Sequence, residues 1–351
     1  MLRENELWTE KYRPMTLDNL IGLGLEDKIQ PLRGFLEKKN LPHLLFVGPP
    51  GSGRTSTALS LLHDLFLDYF SSNVEEISAT DSKDYILKYK RKWYNLAQQD
   101  YNRQESGSPG LNFILKSIFR NFPMMRTFSD LPFRVLIIKN ADSLSMDIQQ
   151  ALRRTLEKSS RTCRFILISE NLSKIIAPIR SRFVVLHFNP LEAPQITAIL
   201  RYIISMEKID IEEEALSAII YLGRGNMIRT INMLQAVASV FEGKPIGSDS
   251  VYQVSQQFID FKVKQVIEFA LNKNFIDARE KLRELFLQYG LSGKQIYDKI
   301  RRIMVKFPIP EDWKVVIFEL MGEYEVRMQK GSNEEIQLSA FLTQLGVLQL
   351  G

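Results

Sequence analysis

His43-Leu44-Leu45-Phe46-Val47-Gly48-Pro49-Pro50-Gly51-Ser52-Gly53-Arg54-Thr55 is the stretch that decides the fold. An apolar run without polar alternation reads as a strand covered on both faces, as in a parallel sheet. It leads directly into Gly-x4-Gly, a basic residue, a hydroxyl residue and a helical pattern. Glycines at that spacing let backbone N–H groups converge on phosphate oxygens, and the following helix adds the partial positive charge of its N-terminus. Gly48, Pro49, Pro50, Gly51, Ser52, Gly53, Arg54, Thr55 and Ser56 are therefore expected to form a phosphate-binding loop. The alternative is a glycine-rich turn that keeps the shape and holds nothing.

Working outward, three more apolar runs share that character: Val135 to Ile138, Phe165 to Ser169 and Val184 to Phe188. Helical stripes lie between them. Ala58, Leu62, Leu65, Phe66 and Tyr69 fall on one face, as do Ile148, Ala151, Leu152 and Leu156. Strand and helix in alternation predict an α/β domain over residues 1–188. Asn189-Pro190 and Gly243-Lys244-Pro245-Ile246-Gly247-Ser248 mark boundaries by turn composition. Residues 189–243 are expected to form a small helical domain, and residues 244–351 a second all-α domain. The segment from Lys90 to Pro109 loses periodicity and reads as an insertion or long connection, followed by a basic helix from Leu111 to Phe122.

The chemistry of the loop is altered at two places. Lysine normally stands where this chain has Arg54, and a planar guanidinium does not follow the path of a point charge on a flexible stem. Thr55 keeps the hydroxyl that would ligand magnesium. In nucleotide hydrolases of this loop type, the neighbouring strand ends in an acid that supports the metal, and here a second acid would follow to polarise water. This strand ends in Lys139-Asn140-Ala141-Asp142 instead. An ammonium repels a divalent cation and an amide is no base, so both changes oppose hydrolysis. ATP or ADP binding stays open, as does a magnesium requirement; Lys139 would replace part of the metal's charge if nucleotide binds without it.

Apolar residues at 45% and charged residues at 25% argue against general disorder. No run reaches the ~18 apolar residues of a membrane span. The charged start Met1 to Glu6 is unlike a signal peptide, and a lone Cys163 forms no internal disulfide; together these predict an intracellular protein. The net charge is +5, yet residues 246–351 hold 14 basic and 14 acidic residues, so the excess lies upstream. Residues 82–134 alone hold 10 basic and 4 acidic residues. That bias suits phosphate partners or a solvated basic face.

With these segments in order, the chain from Trp8 to about Gln235 resembles the small subunits of replication factor C, the AAA+ clamp loader of archaea and eukaryotes. Trp8-Thr9-Glu10-Lys11-Tyr12-Arg13-Pro14 is similar to the family's N-terminal box, and Gln150 to Glu157 also matches. The resemblance implies a RecA-like AAA+ domain, a helical lid and a helical collar. It implies that Asn171 is the polar sensor near the γ-phosphate, and that Arg182 in Ser181-Arg182-Phe183 is a finger acting on a neighbouring subunit's nucleotide. Ile228 stands where the second sensor arginine is expected, with Arg229 one step and about 100° away on a helix. The resemblance further implies phosphate contacts to primer-template DNA from Lys116, Arg120, Arg153 and Arg154, although Arg153 is also placed to pair with Glu157. Leu115 replaces a basic residue of the corresponding helix. Implied partners are the other subunits of a hetero-pentamer, the sliding clamp and DNA, with no membrane. The location would be cytoplasmic in an archaeon and nuclear in a eukaryote. The sequence thus predicts a non-hydrolysing clamp-loader subunit. An active ATPase subunit or another AAA+ motor, such as a helicase loader or branch-migration motor, are the alternatives.

Overall fold

Strands without polar alternation need cover on both sides, and the computed structural model supplies it with two helical layers. It describes residues 6–20, 26–102, 109–159, 161–330 and 333–347. Contacts group residues 1–246 into one compact unit and 247–351 into another. In chain order, the first contains α1 (Trp8–Lys11), α2 (Glu26–Glu37), β1 (Leu44–Val47), α3 (Arg54–Phe66), α4 (Phe70–Asn73), β2 (Val74–Ser78), α5 (Lys83–Tyr89), α6 (Arg91–Asn102) and α7 (Leu111–Asn121). It continues with β3 (Arg134–Lys139), α8 (Met146–Lys158), β4 (Cys163–Ser169), α9 (Ala177–Arg180), β5 (Val184–His187), α10 (Ala193–Glu207), α11 (Glu213–Gly223) and α12 (Met227–Val240).

The sheet is parallel, in the order β2-β3-β4-β1-β5. Alternation divides its side chains between two cores. Leu44, Phe46, Val135, Ile137 and Ile166 pack with Leu32 of α2 and with Ala58 and Leu62 of α3. Leu45, Val47, Leu136, Ile138 and Leu167 pack with Trp93 of α6, Ile118 of α7 and Leu152 of α8. Cys163 is buried in the second core, and burial pushes its thiol well above the usual range. The chain therefore enters the phosphate loop from a strand fixed between two neighbours.

Several sequence expectations need correction. β2 was not expected, because Val74-Glu75-Glu76-Ile77-Ser78 carries two acids; it is an edge strand with only Val74 and Ile77 buried. β5 is the other edge, so Val184 is 41% exposed rather than covered on both faces. The expected irregular connection after Lys90 is helix α6. Trp93 and Ala97, one turn apart, are its buried residues, and Asp100 accepts hydrogen bonds from Ser117 and Asn121 and pairs with Arg120 of α7. Polar residues between those anchors concealed its period; Ser106-Gly107-Ser108 lies outside the described residues. On α8 the buried face is Ile148, Gln149, Leu152 and Leu156, without Ala151. Gln149 takes this place by donating to the Leu144 and Lys174 carbonyls and accepting from the Ile176 N–H. Tyr69 lies beyond the end of α3 and is exposed.

Helices α10 and α12 carry the N-terminal segment. The Trp8 N–H donates to Gln235 Oε1 at 3.0 Å, while Glu207 takes both Lys11 Nζ at 2.6 Å and the Tyr12 hydroxyl at 2.5 Å. Burial alone would raise the Glu207 carboxyl, but those two donors hold it below its ordinary value. The second unit contains α13 (Ser248–Leu271), α14 (Phe275–Leu287), α15 (Gly293–Val305), α16 (Glu311–Gln329) and α17 (Glu334–Val347). Its core includes Val266, Leu282, Ile300, Ile317 and Phe341. Among the described residues, no helix is long and apolar enough to cross a membrane.

His43, just ahead of β1, gives a pH-dependent prediction. Its Nδ1 accepts the Phe165 N–H at 3.1 Å and its ring lies against Phe165 and Phe183. Burial, with help from Arg164, lowers its pKa to about 4. Because the folded value lies below the unfolded one, this stabilisation is complete above pH ~6.5 and is lost as pH falls towards the folded value, up to about 3 kcal/mol before allowance for partial exposure. Thermal unfolding of His43→Phe should show a lower melting temperature at neutral pH, where the Phe165 N–H loses its acceptor, and a shallower decline on acidification than the wild type.

Candidate functional site

Val47 ends β1, residues 48–53 form the loop, and α3 begins at Arg54. Gly51 and Gly53 have φ of 77° and 89°, the left-handed region that favours glycine. At Gly48 a Cβ would stand 2.2 Å from the Phe188 carbonyl oxygen, so only glycine fits where the loop passes the end of β5. Ser52 Oγ closes the loop by donating to the Pro49 carbonyl at 2.7 Å. The apex has a second support from α12: the Met227 N–H donates to the Gly51 carbonyl at 3.2 Å, and Asn226 Oδ1 occupies the space a Gly51 side chain would need. Asn226 also caps α12 by accepting the Arg229 N–H. This contact left no mark in the sequence beyond an ordinary helix cap.

Arg54 is 8% exposed. Its Nη1 donates to the Ser169 carbonyl at the end of β4 at 2.6 Å, and its Nη2 lies 3.9 Å from Glu170 Oε1. Burial lowers its pKa, while Glu170 and Asp142 oppose that shift; guanidinium stays protonated regardless. Asp142 belongs to the same cluster, accepting from Ser169 Oγ at 3.3 Å and the Glu170 N–H at 3.2 Å. The loop arginine thus ties the start of α3 to the end of β4. Lys139 makes an ion pair with Glu76 Oε2 at 2.6 Å across β3 and β2. Asn140 has φ of 52°, tolerable for asparagine, and its amide donates to Ser78 Oγ and Thr80 Oγ1. Arg54, Lys139 and Asn140 are all integrated into the chain's own polar network.

Asn171 lies just after β4, where its Oδ1 accepts from the Ser173 N–H and hydroxyl and caps a short turn. Ile228 is 54% exposed, and Arg229 is partly buried behind it. Arg182, after α9, is held within its own chain: Nη1 donates to the Pro178 carbonyl at 2.7 Å and Nη2 pairs with Glu157 at 2.8 Å. The same Glu157 oxygen takes Arg153 Nε at 3.2 Å.

Three of the four residues expected to contact DNA line one groove. Lys116 and Arg120 of α7 face Arg154 of α8 across a cavity of about 340 Å³ that also includes Phe113, Asp147 and Gln150. Arg153 is directed to Glu157 instead. Sequence reasoning missed the acids that hold its cations: Asp147 on the groove pairs with Lys116, and Asp100 of α6 pairs with Arg120. Leu115 is buried in the core, so that position faces away from any ligand in the groove.

The Replication factor C C-terminal domain family matches residues 260–344, and the DNA polymerase III, delta subunit family matches residues 24–192. The replication factor C small subunit of Staphylothermus marinus is 39% identical over 97% of this chain and 95% of its own length. The chain belongs to the replication factor C small-subunit family. The replication factor C small subunit of Archaeoglobus fulgidus, 36% identical over 98% of each chain, gives the same result. The fold is shared more widely. The RuvB Holliday junction branch migration motor of Thermotoga maritima aligns at a TM-score of 0.51 over 79% of this chain and 88% of that one, with 18% identity. The ORC1 protein of Aeropyrum pernix in complex with DNA aligns at 0.54 over 85% and 84%, with 15% identity. Full-length identity therefore separates the replication factor C reading from that of another AAA+ motor.

In this member of the replication factor C family, Arg54→Ala should strand the Ser169 carbonyl and leave Asp142 and Glu170 without their cation, at a cost of about 1–3 kcal/mol. Arg54→Lys, with one point of attachment in place of a fork, should recover part of that loss. Thermal melting of the two variants against wild type checks the order.

Proposed function

We propose that the chain is a non-hydrolysing subunit of a replication factor C clamp loader. In this reading it assembles with the other subunits into a hetero-pentamer, presents Arg182 to a neighbour's nucleotide, and helps place the sliding clamp on primer-template DNA. One observation carries the loss of hydrolysis: Arg54 and Lys139, the two cations at altered catalytic positions, are already engaged by Ser169, Glu170 and Glu76. The residues present fit a nucleotide's phosphates, through the positive-φ glycines and the N-terminus of α3. Magnesium has weaker support there: Thr55 keeps a hydroxyl that would ligand it, but Lys139, paired with Glu76, stands where an acid would be expected. Gly51, Gly53 and Thr55 would hold ATP or ADP by its phosphates.

The proposed finger has a weak local hold. Arg182 and Glu157 are 37% and 42% exposed, and a surface pair of that kind contributes about 0–1 kcal/mol. A nucleotide phosphate on an adjacent subunit is a stronger acceptor for guanidinium. The groove between α7 and α8 supports sequence-independent contact with the DNA backbone through Lys116, Arg120 and Arg154. The archaeal sources of the relatives favour a cytoplasmic location over a nuclear one.

Three measurements test this reading, two in the reconstituted complex and one on the isolated chain. Arg182→Ala should reduce DNA-stimulated ATP turnover at the one neighbouring site it serves by about 10³-fold, read as a partial loss in the whole complex; unchanged turnover would remove that role. The isolated chain should show no turnover, and Lys116→Glu with Arg154→Glu should lower the salt slope of DNA binding by about 1 for each phosphate that is no longer neutralised.

A further inference from the structure

The segment between β2 and α7 has a face that the proposed clamp-loader role does not use. Ile86 is the buried residue of α5, and Trp93 and Ala97 are those of α6, so these helices are anchored at three points. Lys90 strengthens the junction by pairing with Glu75 and donating to the Glu76 carbonyl. Almost everything else at this end faces solvent. Tyr85 and Tyr89, one turn apart on α5, are 44% and 63% exposed. Their ring centroids are 4.9 Å apart with planes tilted by 41°. Lys88 Nζ lies 5.0 Å from the Tyr89 centroid, at cation–π distance.

Charge supplies the second observation. Between Lys83 and Lys92 the sequence has five basic residues and one acid, Asp84. Lys88, Arg91 and Lys92 are exposed and form no ion pair among the described residues. By contrast, Lys116 and Arg120 in the groove each have an acid partner. The cations beside the two tyrosines are thus less neutralised than Lys116 and Arg120. The two regions share a helical layer, because Asp100 of α6 pairs with Arg120, which lines the groove.

We propose that α5 and the start of α6 form a binding platform for single-stranded nucleic acid, with Tyr85 and Tyr89 stacking on bases and Lys88, Arg91 and Lys92 holding phosphates. Exposed π faces beside unpaired cations match the two recognition elements of sequence-tolerant single-strand binding. A duplex keeps its bases stacked on one another and offers such rings little. An acidic peptide would satisfy the cations but leave the rings without a matched partner.

The test uses the full chain and a labelled oligothymidine of about 16 nucleotides, followed by fluorescence polarisation across a salt series. Tyr85→Ala/Tyr89→Ala should weaken oligothymidine binding by at least about 10-fold while leaving a duplex of equal length unaffected. Tyr85→Phe/Tyr89→Phe should bind like wild type, since the rings remain. Lys88→Glu/Arg91→Glu/Lys92→Glu should weaken binding and flatten its salt dependence. Melting temperatures of the tyrosine variants should match wild type, because both side chains are exposed.

The proposal is overturned if wild type does not bind oligothymidine, if the alanine pair binds it normally, or if that pair loses duplex binding equally. It is also overturned if polyglutamate binds as tightly with the same indifference to both tyrosines, which would make the patch a docking surface for acidic protein. Arg154→Glu keeps the outcomes separate: its failure to weaken duplex binding counts against the groove, whereas the tyrosine effect is read on the single strand.

Discussion

A guanidinium buried to 8% exposure must find acceptors inside the protein, and the Arg54 side chain finds them at the end of β4. That requirement organises the region around the phosphate loop. The Ser169 carbonyl receives the donor, Glu170 and Asp142 supply negative charge, and Asp142 accepts from the adjoining turn. Removing the guanidinium would strand the buried Ser169 carbonyl, while the half-exposed Glu170 could recover solvation, so the cost stays near that of an unsatisfied buried polar group, about 1–3 kcal/mol. Arg54 therefore contributes to the position of the first turn of α3, and with it the geometry of the loop.

The same principle explains the adjacent strand ends. Lys139 is compatible with the sheet because Glu76 on β2 lies within ion-pair distance. Asn140 adopts a left-handed conformation that few other residues tolerate, and its amide bonds two hydroxyls of the β2 turn. A lysine at the end of β3, one strand in from the sheet edge, would ordinarily leave an uncompensated charge. Here the compensation comes from an edge strand whose acids made it hard to recognise in sequence. The unusual composition of β2 and the unusual end of β3 are two sides of one electrostatic arrangement.

Much of the α/β framework was legible because its signals are local. The run His43 to Val47, the glycine spacing after it and the three later apolar runs each declare themselves within a few residues. The Arg153–Glu157 pair was also legible, since helical spacing alone brings such residues together. What sequence concealed depends on distant partners. Helix α6 is held by Trp93 and by Asp100 reaching α7, neither visible as a clean period. The basic residues Arg54 and Lys139 were plain in the sequence, but where those side chains go depends on Ser169 and Glu76, brought near by sheet order. The contact of Asn226 with Gly51 is further removed still, joining α12 to a loop many elements earlier.

Cys163 has a practical consequence. Its sulfur lies inside the core, where burial keeps it protonated at neutral pH and closed to reagents. The chain is thus chemically silent towards maleimides while folded. A thiol introduced on an exposed helix would take up a dye at one address, and modification of Cys163 itself would report that the sheet had opened.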